Sequence, residues 1–327
     1  MDEALLQHGG TDSQAEPRYD FSSNANALGP CPFVLSAARR ADLSRYPDPQ
    51  YLGLRCKLAA AHHTTPERVV VGAGASELIV RLIRYLDGPV LQLGPTFSEY
   101  ARGARLAARQ LLTASSPAEF LRLQRKQPGV GFICWPNNPT GDAWEPEFIA
   151  RASAAGPIVL DLAYGPLCGG DVPSLESAAA RAYRLYSPNK SYGLTGIRGA
   201  YVVAPRDARP LAGLAPSWVI GRDATALLEA SVDPRALAWL KQNLPQLHRW
   251  RASLARALRE LQLPVRESPA SFLLAEVGSA LRITRALRER GVRVRDASSF
   301  GLERCIRLSA QAPGARRALI TNLKKLL

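Results

Sequence analysis

A lysine set among serine, tyrosine and glycine in SPNKSYGLTGIRGA (187–200), with Arg198 eight residues further on, is where this sequence first offers chemistry. A lysine amine is a nucleophile toward carbonyl groups when its surroundings let it lose a proton. Four other stretches carry groups that would serve such a lysine. DLAY (161–164) closes an apolar run on Asp161 and places Tyr164 three residues later; a carboxylate there needs a cation or hydrogen bonds. WPNNPTG (135–141) presents asparagine amides from a turn fixed by proline and glycine. GAGASE (72–77) leads directly into a helix, whose first-turn amides and dipole favour an anion. PTFSEY (95–100) sets Phe97 and Tyr100 just past a strand, where either ring could stack on a flat ligand and core packing explains either equally well.

The elements that must position these groups follow an α/β rhythm. Short β-rich runs end where glycine or a polar cluster begins: RVVVG (68–72), PVLQLG (89–94), GFICW (131–135), PIVLD (157–161), ARAYRLYS (180–187) and GAYVVA (199–204). Between them lie helix-period segments such as SELIVRLIRYL (76–86), with Leu78, Ile79, Leu82 and Leu86 on one side. Nearly continuous apolar strands suit a sheet covered on both faces. After about residue 205 the strand rhythm stops, and Leu247, Trp250, Leu254, Leu258 and Leu261 mark an amphipathic helix. SFLLAEV, a helix SALRITRALRERG, strands in VRVRD and RCIRLSA, and a closing helix GARRALITNLKKLL complete a smaller α+β unit. The expected organisation is an N-terminal arm (1–30), a large domain (31–208) and a small C-terminal domain (209–327), with no internal repeat.

In an open α/β sheet the ligand crevice lies beyond the carboxyl ends of the strands, so the five motifs should converge. A lysine to form an imine, a carboxylate against a ring nitrogen, an anion cup and an aromatic lid are the needs of one cofactor, an aldehyde with a pyridine ring and a phosphate. That cofactor is pyridoxal phosphate.

At 327 residues and 46% apolar composition the chain can bury two sizeable cores. No run reaches the ~18 apolar residues of a bilayer span, and the opening MDEALLQHGGTDSQAEPRYD is acidic and polar where a secretion signal needs a basic end, so a cytoplasmic protein is expected. Cys31, Cys56, Cys134, Cys168 and Cys305 are scattered and never in CxxC spacing, so buried thiols are expected in place of disulfides or zinc. The four histidines show no ligand spacing, and no metal site is indicated. A net charge of +14 raises nucleic acid as a partner. Its spread argues against that: arginine is densest on helices such as 249–261 and 286–295, without an aromatic-rich binding module. A solvated basic face, or attraction for an anionic metabolite, is the expected meaning.

WPNNPTG, DLAY and SPNKSYGLTGIRG, in this order, resemble the fold type I pyridoxal-phosphate enzymes, and within them the histidinol-phosphate aminotransferase and threonine-phosphate decarboxylase group. The resemblance covers nearly the whole chain. It implies a large, mostly parallel α/β/α sheet domain with a smaller α+β domain. It also implies that Lys190 forms the imine to the cofactor, that Asp161 keeps the pyridine nitrogen protonated, and that Asn138 and Tyr164 hydrogen-bond the phenolic oxygen. Ser187 and Arg198, with backbone amides at Ala75 and Ser76, would hold the phosphate, and Phe97, or else Tyr100, would stack on the ring. Tyr46 in RYPDPQY resembles a tyrosine that reaches the phosphate from a neighbouring subunit, which implies a homodimer. Arg307 in CIRLSA resembles the arginine that pairs with a substrate carboxylate.

The chain departs from the family pattern at three places. GAGASE stands where GxGSDE is common, so Ala75 lacks a hydroxyl; NANALGP (24–30) replaces NENPLGP; and the region 205–235 is short. HGG (8–10) followed by DFSSNANALGP (20–30), and VRVRDASSFGLERCIRLSAQ (292–311), tilt the resemblance toward threonine-phosphate decarboxylases of cobalamin biosynthesis, acting on a small phosphorylated amino acid, with His8, Asn26 and Arg307 at the substrate. The alternative is an aminotransferase moving an amino group to a 2-oxo acid. A remote third reading is an inactive ligand- or nucleic-acid-binding relative.

Overall fold

The computed structural model describes residues 9–169 and 172–327. The described chain opens with a two-residue strand β1 (Tyr19–Asp20). Seven strands then follow: β2 (Val69–Gly72), β3 (Val90–Leu93), β4 (Leu111–Ala114), β5 (Val130–Cys134), β6 (Ile158–Asp161), β7 (Tyr183–Tyr186) and β8 (Ala200–Val203). They pair in the order β2-β8-β7-β6-β5-β3-β4, with β8 antiparallel to both neighbours and the other pairs parallel. The six strands read from the sequence are all in this sheet. The seventh, β4, was not foreseen because it lies at the edge and Leu111 is exposed, so LLTA carries neither alternation nor a buried run.

Both faces of the sheet are covered, as near-continuous apolar strands require. Successive residues point to opposite sides: Val70, Phe132, Val159, Leu185 and Val202 join one buried cluster, while Val71, Ile133, Leu160, Tyr186 and Tyr201 join the other. The helix Ala75–Tyr85 packs Leu78, Ile79 and Leu82 on the first face.

The remaining strands are β9 (Val265–Glu267), β10 (Phe272–Glu276), β11 (Val292–Arg293), β12 (Arg295–Asp296) and β13 (Cys305–Ser309). Four of them form an antiparallel sheet in the order β12-β13-β10-β9. Leu273, Ala275, Ile306 and Leu308 pack from it against Leu254 and Leu258 of the helix Pro234–Glu260, Ile283 of the helix Ala280–Glu289 and Leu319 of the helix Pro313–Lys324. The amphipathic repeat from Leu247 onward marks only the second half of the long helix. Ala236 and Leu240, before Pro245, and Leu247, just after it, pack in the large-sheet cluster. Among the described residues no helix is long and apolar enough to cross a membrane. Cys31, Cys134 and Cys168 are buried as expected of free thiols, but Cys305 is half-buried and Cys56 is exposed.

The N-terminal segment is fastened to the smaller sheet. β1 runs parallel to β11, Phe21 sits in the third cluster, and its backbone bridges Arg293 and Ser309. Arg293 is buried and ion-paired to Asp12 and Asp20. Residues 9–25 are thereby held where the two sheets approach.

Leu258 is fully buried at the meeting of the long helix and the small sheet. Leu258→Ala is expected to cost about 2–5 kcal/mol, measured as a lower urea midpoint. A loss below about 1 kcal/mol would mean that this cluster does not hold the helix to the sheet.

Candidate active site

Strand ends supply the site. The turns after β2, β3, β5, β6 and β7 carry Ser76, Phe97, Asn138, Tyr164 and Lys190, and all five line one cavity of about 390 Å³. The smaller sheet closes it with Arg295 and Arg307, and the N-terminal segment with Gly9, Gly10, Ser22 and Asn24. Parallel pairing brings these ends to the same edge, so residues more than a hundred positions apart in sequence share one wall.

Lys190 lies in the one-turn helix Pro188–Ser191 directly after β7. Its Nζ is 4.6 Å from the centre of the Tyr164 ring and 5.9 Å from that of Phe97. Two rings therefore flank the amine, and Phe97 is the one of the two foreseen stacking candidates that faces the cavity. Tyr100 does not: it is fully buried, stacked on Phe132 with centroids 4.7 Å apart, and meets Phe97 edge-on. Its hydroxyl donates instead to Asp161 Oδ2 at 2.8 Å, while the Ala163 amide donates to Oδ1 at 3.0 Å. The Asp161 carboxylate, at the end of β6, is thus held by two donors.

An anion cup lies at the other side. The helix Ala75–Tyr85 starts at Gly74 without a side-chain cap, so its first-turn amides, at Ala75 and Ser76, lack intrahelical acceptors. Gly74 has φ +92°, and a Cβ there would lie 2.5 Å from Arg198 Nη2; glycine lets the guanidinium close on the helix start. Ser187 Oγ is buried with no hydrogen-bond partner. A buried hydroxyl left unpaired is costly unless a ligand meets it. A phosphate group fits this set: helix amides, a hydroxyl and a fork-shaped cation.

Arg307, on β13, is buried; Nη1 donates to Asn138 Oδ1, and Nη2 donates to the Ser22 carbonyl at 2.8 Å. That contact takes the oxygen of Asn138 and leaves its amide nitrogen as the group able to donate. Burial lowers the Arg307 pKa. Directly across the strand pair stands Arg295, packed over Phe300 and donating to Ser299 Oγ at 2.7 Å. Burial, and then the like charge of Arg307, push its pKa down to about 10. Two neighbouring buried guanidiniums line the cavity wall.

Two further expected residues do not line this cavity. The side chain of Asn26 is used by backbone: Nδ2 donates to Ser191 O at 3.1 Å and Oδ1 accepts from Leu28 N at 3.1 Å. It supports the lysine turn, and Asn24, two positions earlier, is the asparagine that lines the cavity, buried and with both amide atoms unpaired. Tyr46 is 75% exposed and stacked on Trp218 at 4.5 Å, outside the cavity of its own chain. His8 lies outside the described residues. Arg295 and Asn24 are the residues that motif reading missed. Both sit inside strings singled out as sequence, VRVRD and NAN, where only tertiary contacts tell which of two like residues faces the ligand.

Comparison with known proteins places this geometry. A curated histidinol-phosphate aminotransferase of Haloarcula marismortui is 31% identical over 320 residues, covering 88% of this chain and 84% of the relative. The crystal structure of histidinol-phosphate aminotransferase from Sinorhizobium meliloti in complex with pyridoxal-5'-phosphate superposes with a TM-score of 0.86 at 22% identity, covering 99% of this chain and 97% of that one. L-threonine-O-3-phosphate decarboxylase from Porphyromonas gingivalis gives a TM-score of 0.82 at 22% identity, covering 94% and 98%. These structures share the fold. The sequence profile of aminotransferase class I and II matches residues 17–323, and the chain belongs to that family.

Proposed function

We propose that this chain is a pyridoxal-phosphate-dependent enzyme acting on a small amine that carries a phosphate, and that it transfers the amino group in the manner of its histidinol-phosphate aminotransferase relatives. The observation that carries the reading is Lys190 in a cavity with an anion cup on one side and two buried arginines on the other. When bound, pyridoxal phosphate supplies an aldehyde that condenses with amines and a ring that draws electrons from the bonds at the amine carbon.

The protein's own groups then have defined tasks. The amides of Ala75 and Ser76, Ser187 Oγ and Arg198 would hold the cofactor phosphate, with the amides carrying more of the load because Ala75 has no hydroxyl. Phe97 would cover the cofactor's ring, Asn138 and Tyr164 would donate to its phenolic oxygen, and Asp161 would keep the proton on its nitrogen. Lys190 Nζ, at the cavity wall beside the Tyr164 ring, would be the amine that holds the cofactor and the base that takes up and returns a proton at the substrate's amine carbon. Arg307 and Arg295 attract the anionic parts of the substrate, and a site whose cations are buried gains most from an anion that replaces lost water. Asn24, with donor and acceptor both unpaired, adds a polar contact on the same wall.

The sequence motifs alone favour decarboxylation; the curated relatives shift the reading to transfer. A decarboxylase of threonine phosphate stays as the second reading because Gly9 and Gly10, from the string that resembles those enzymes, are at the site. Gly9 and Gly10 line the cavity, and a Cβ on Gly9 would come within 3.2 Å of Arg307 Nη2. The two reactions differ in which bond at the amine carbon is aligned with the ring.

Tyr46 and Trp218 form an exposed apolar stack beside Leu43, and a second copy of the chain is the occupant that the resemblance implies. Sedimentation is expected to report twice the 35.4 kDa chain mass; a monomer at micromolar concentration removes Tyr46 from the site.

The purified protein is expected to be yellow, and borohydride reduction followed by peptide mapping to place the cofactor on Lys190. A label on Lys241 or Lys324 defeats the assignment. To separate the reactions, histidinol phosphate alone should convert bound cofactor to pyridoxamine phosphate, and a 2-oxo acid should restore the original absorbance. Carbon dioxide released from O-phosphothreonine, with no pyridoxamine phosphate formed, selects the decarboxylase.

A further inference from the structure

The cofactor reading leaves one buried pair without a task. Tyr100 is fully buried, its ring is clamped between Phe132 and the edge of Phe97, and its hydroxyl is spent on Asp161 Oδ2 at 2.8 Å. Phe97 starts the helix Ser98–Leu106 on the cavity side, and Tyr100 lies in its first turn facing the sheet. Core packing alone would explain the ring but not the choice of acceptor: the hydroxyl meets the one carboxylate that the cofactor requires.

We propose that Tyr100 is a positioning residue for that carboxylate, fixing Asp161 in one orientation and holding its negative charge so that a proton shared with the cofactor ring stays on the ring nitrogen. This rests on the pyridoxal-phosphate reading and adds a residue that the motifs assign only as a possible stacking ring.

Three features support the task. Oδ1 is fixed independently by the Ala163 amide, so with Tyr100 on Oδ2 both carboxylate oxygens are held and the group cannot turn. A hydroxyl donated to a carboxylate favours its charged form, and a charge-assisted bond of this kind is among the stronger ones a protein makes. Tyr100 remains a donor throughout the working pH range, because burial, reinforced by the Asp161 charge, raises its pKa well above the ordinary value. The neighbour across the strand pair, Cys134, is no rival anion: burial first, and then Asp161, push its thiol up to about 12.

The test is Tyr100→Phe, which keeps the ring on Phe132 and removes one oxygen. Its far-UV spectrum should be unchanged, its dissociation constant for pyridoxal phosphate should rise about tenfold, and the ¹⁵N resonance of ring-labelled cofactor should move toward the unprotonated range. Adding Tyr100→Phe to Asp161→Asn should alter the affinity less than about twofold, since the charge to be held is gone. Should Tyr100→Phe fail to fold, 2,3-difluorotyrosine at position 100 strengthens the donor without changing the packing, and the resonance should move further toward the protonated range. Unchanged affinity with an unchanged ring-nitrogen resonance in Tyr100→Phe, or an unmoved resonance with the fluorinated residue, overturns the proposal and leaves the cofactor reading standing. A wild-type chain that takes up no pyridoxal phosphate defeats the reading itself.

Discussion

Parallel pairing of β3, β5, β6 and β7 is the constraint on which the rest of the molecule depends. Strands running the same way must end at the same edge, and each must be followed by a crossover that covers a face of the sheet. The faces are therefore closed with apolar side chains, and in the large sheet the polar groups of the site are left at the strand ends. Phe97, Asn138, Asp161, Tyr164 and Lys190 occupy those ends because the architecture has no other place to bring five such groups together.

Charge governs the second level of organisation. Arg198, Arg295 and Arg307 approach the same cavity as Lys190, and the last two arginines are almost fully removed from water. Burying guanidiniums beside one another costs solvation and adds repulsion, visible as the lowered pKa of Arg295. The fold offsets part of that cost with carbonyl and amide oxygens, those of Ser22 and Asn138 at Arg307. On the proposed function, an anionic substrate group would offset the rest. Basic residues on the outside have a different environment: Arg259 on the long helix and Arg266 on β9 are solvent-exposed and paired to Glu267 and Asp142, where pairs contribute little.

Much of this was legible before any coordinates. Six of the seven large-sheet strands announced themselves as apolar runs closed by glycine or polar residues, because a strand buried on both faces can carry little else. The lysine turn, the aspartate strand end and the asparagine loop were legible for the same reason: each breaks an apolar run at a fixed place. Less visible were features decided by long-range contact. Leu111–Ala114 has the mixed exposure of an edge. Asn24 and Asn26 are two apart in extended chain, and only the acceptor offered by Ser191 shows that the second is structural. Phe97 and Tyr100 are both aromatic and both follow β3, yet the helix they begin turns one to the cavity and the other to Asp161.

The stretch from Ser22 to Asn26 joins these levels. At one end the Ser22 carbonyl accepts from Arg307, and the preceding Phe21 is buried in the core of the small sheet. At the other end Asn26 is bonded through its backbone to Lys190 O and through its side chain to Ser191 O, beside the Lys190 amine. Asn24 lies midway, its backbone fixed from both directions and its amide unpaired. A polar group held in this way loses little freedom when a ligand meets it, so a contact there contributes nearly its full strength to binding. The same pinning couples the substrate wall to the lysine turn: a ligand that shifts the small sheet against the large one must pull on residues bonded to Lys190. The short N-terminal segment thus ties the cavity wall at Arg307 to the turn that carries Lys190.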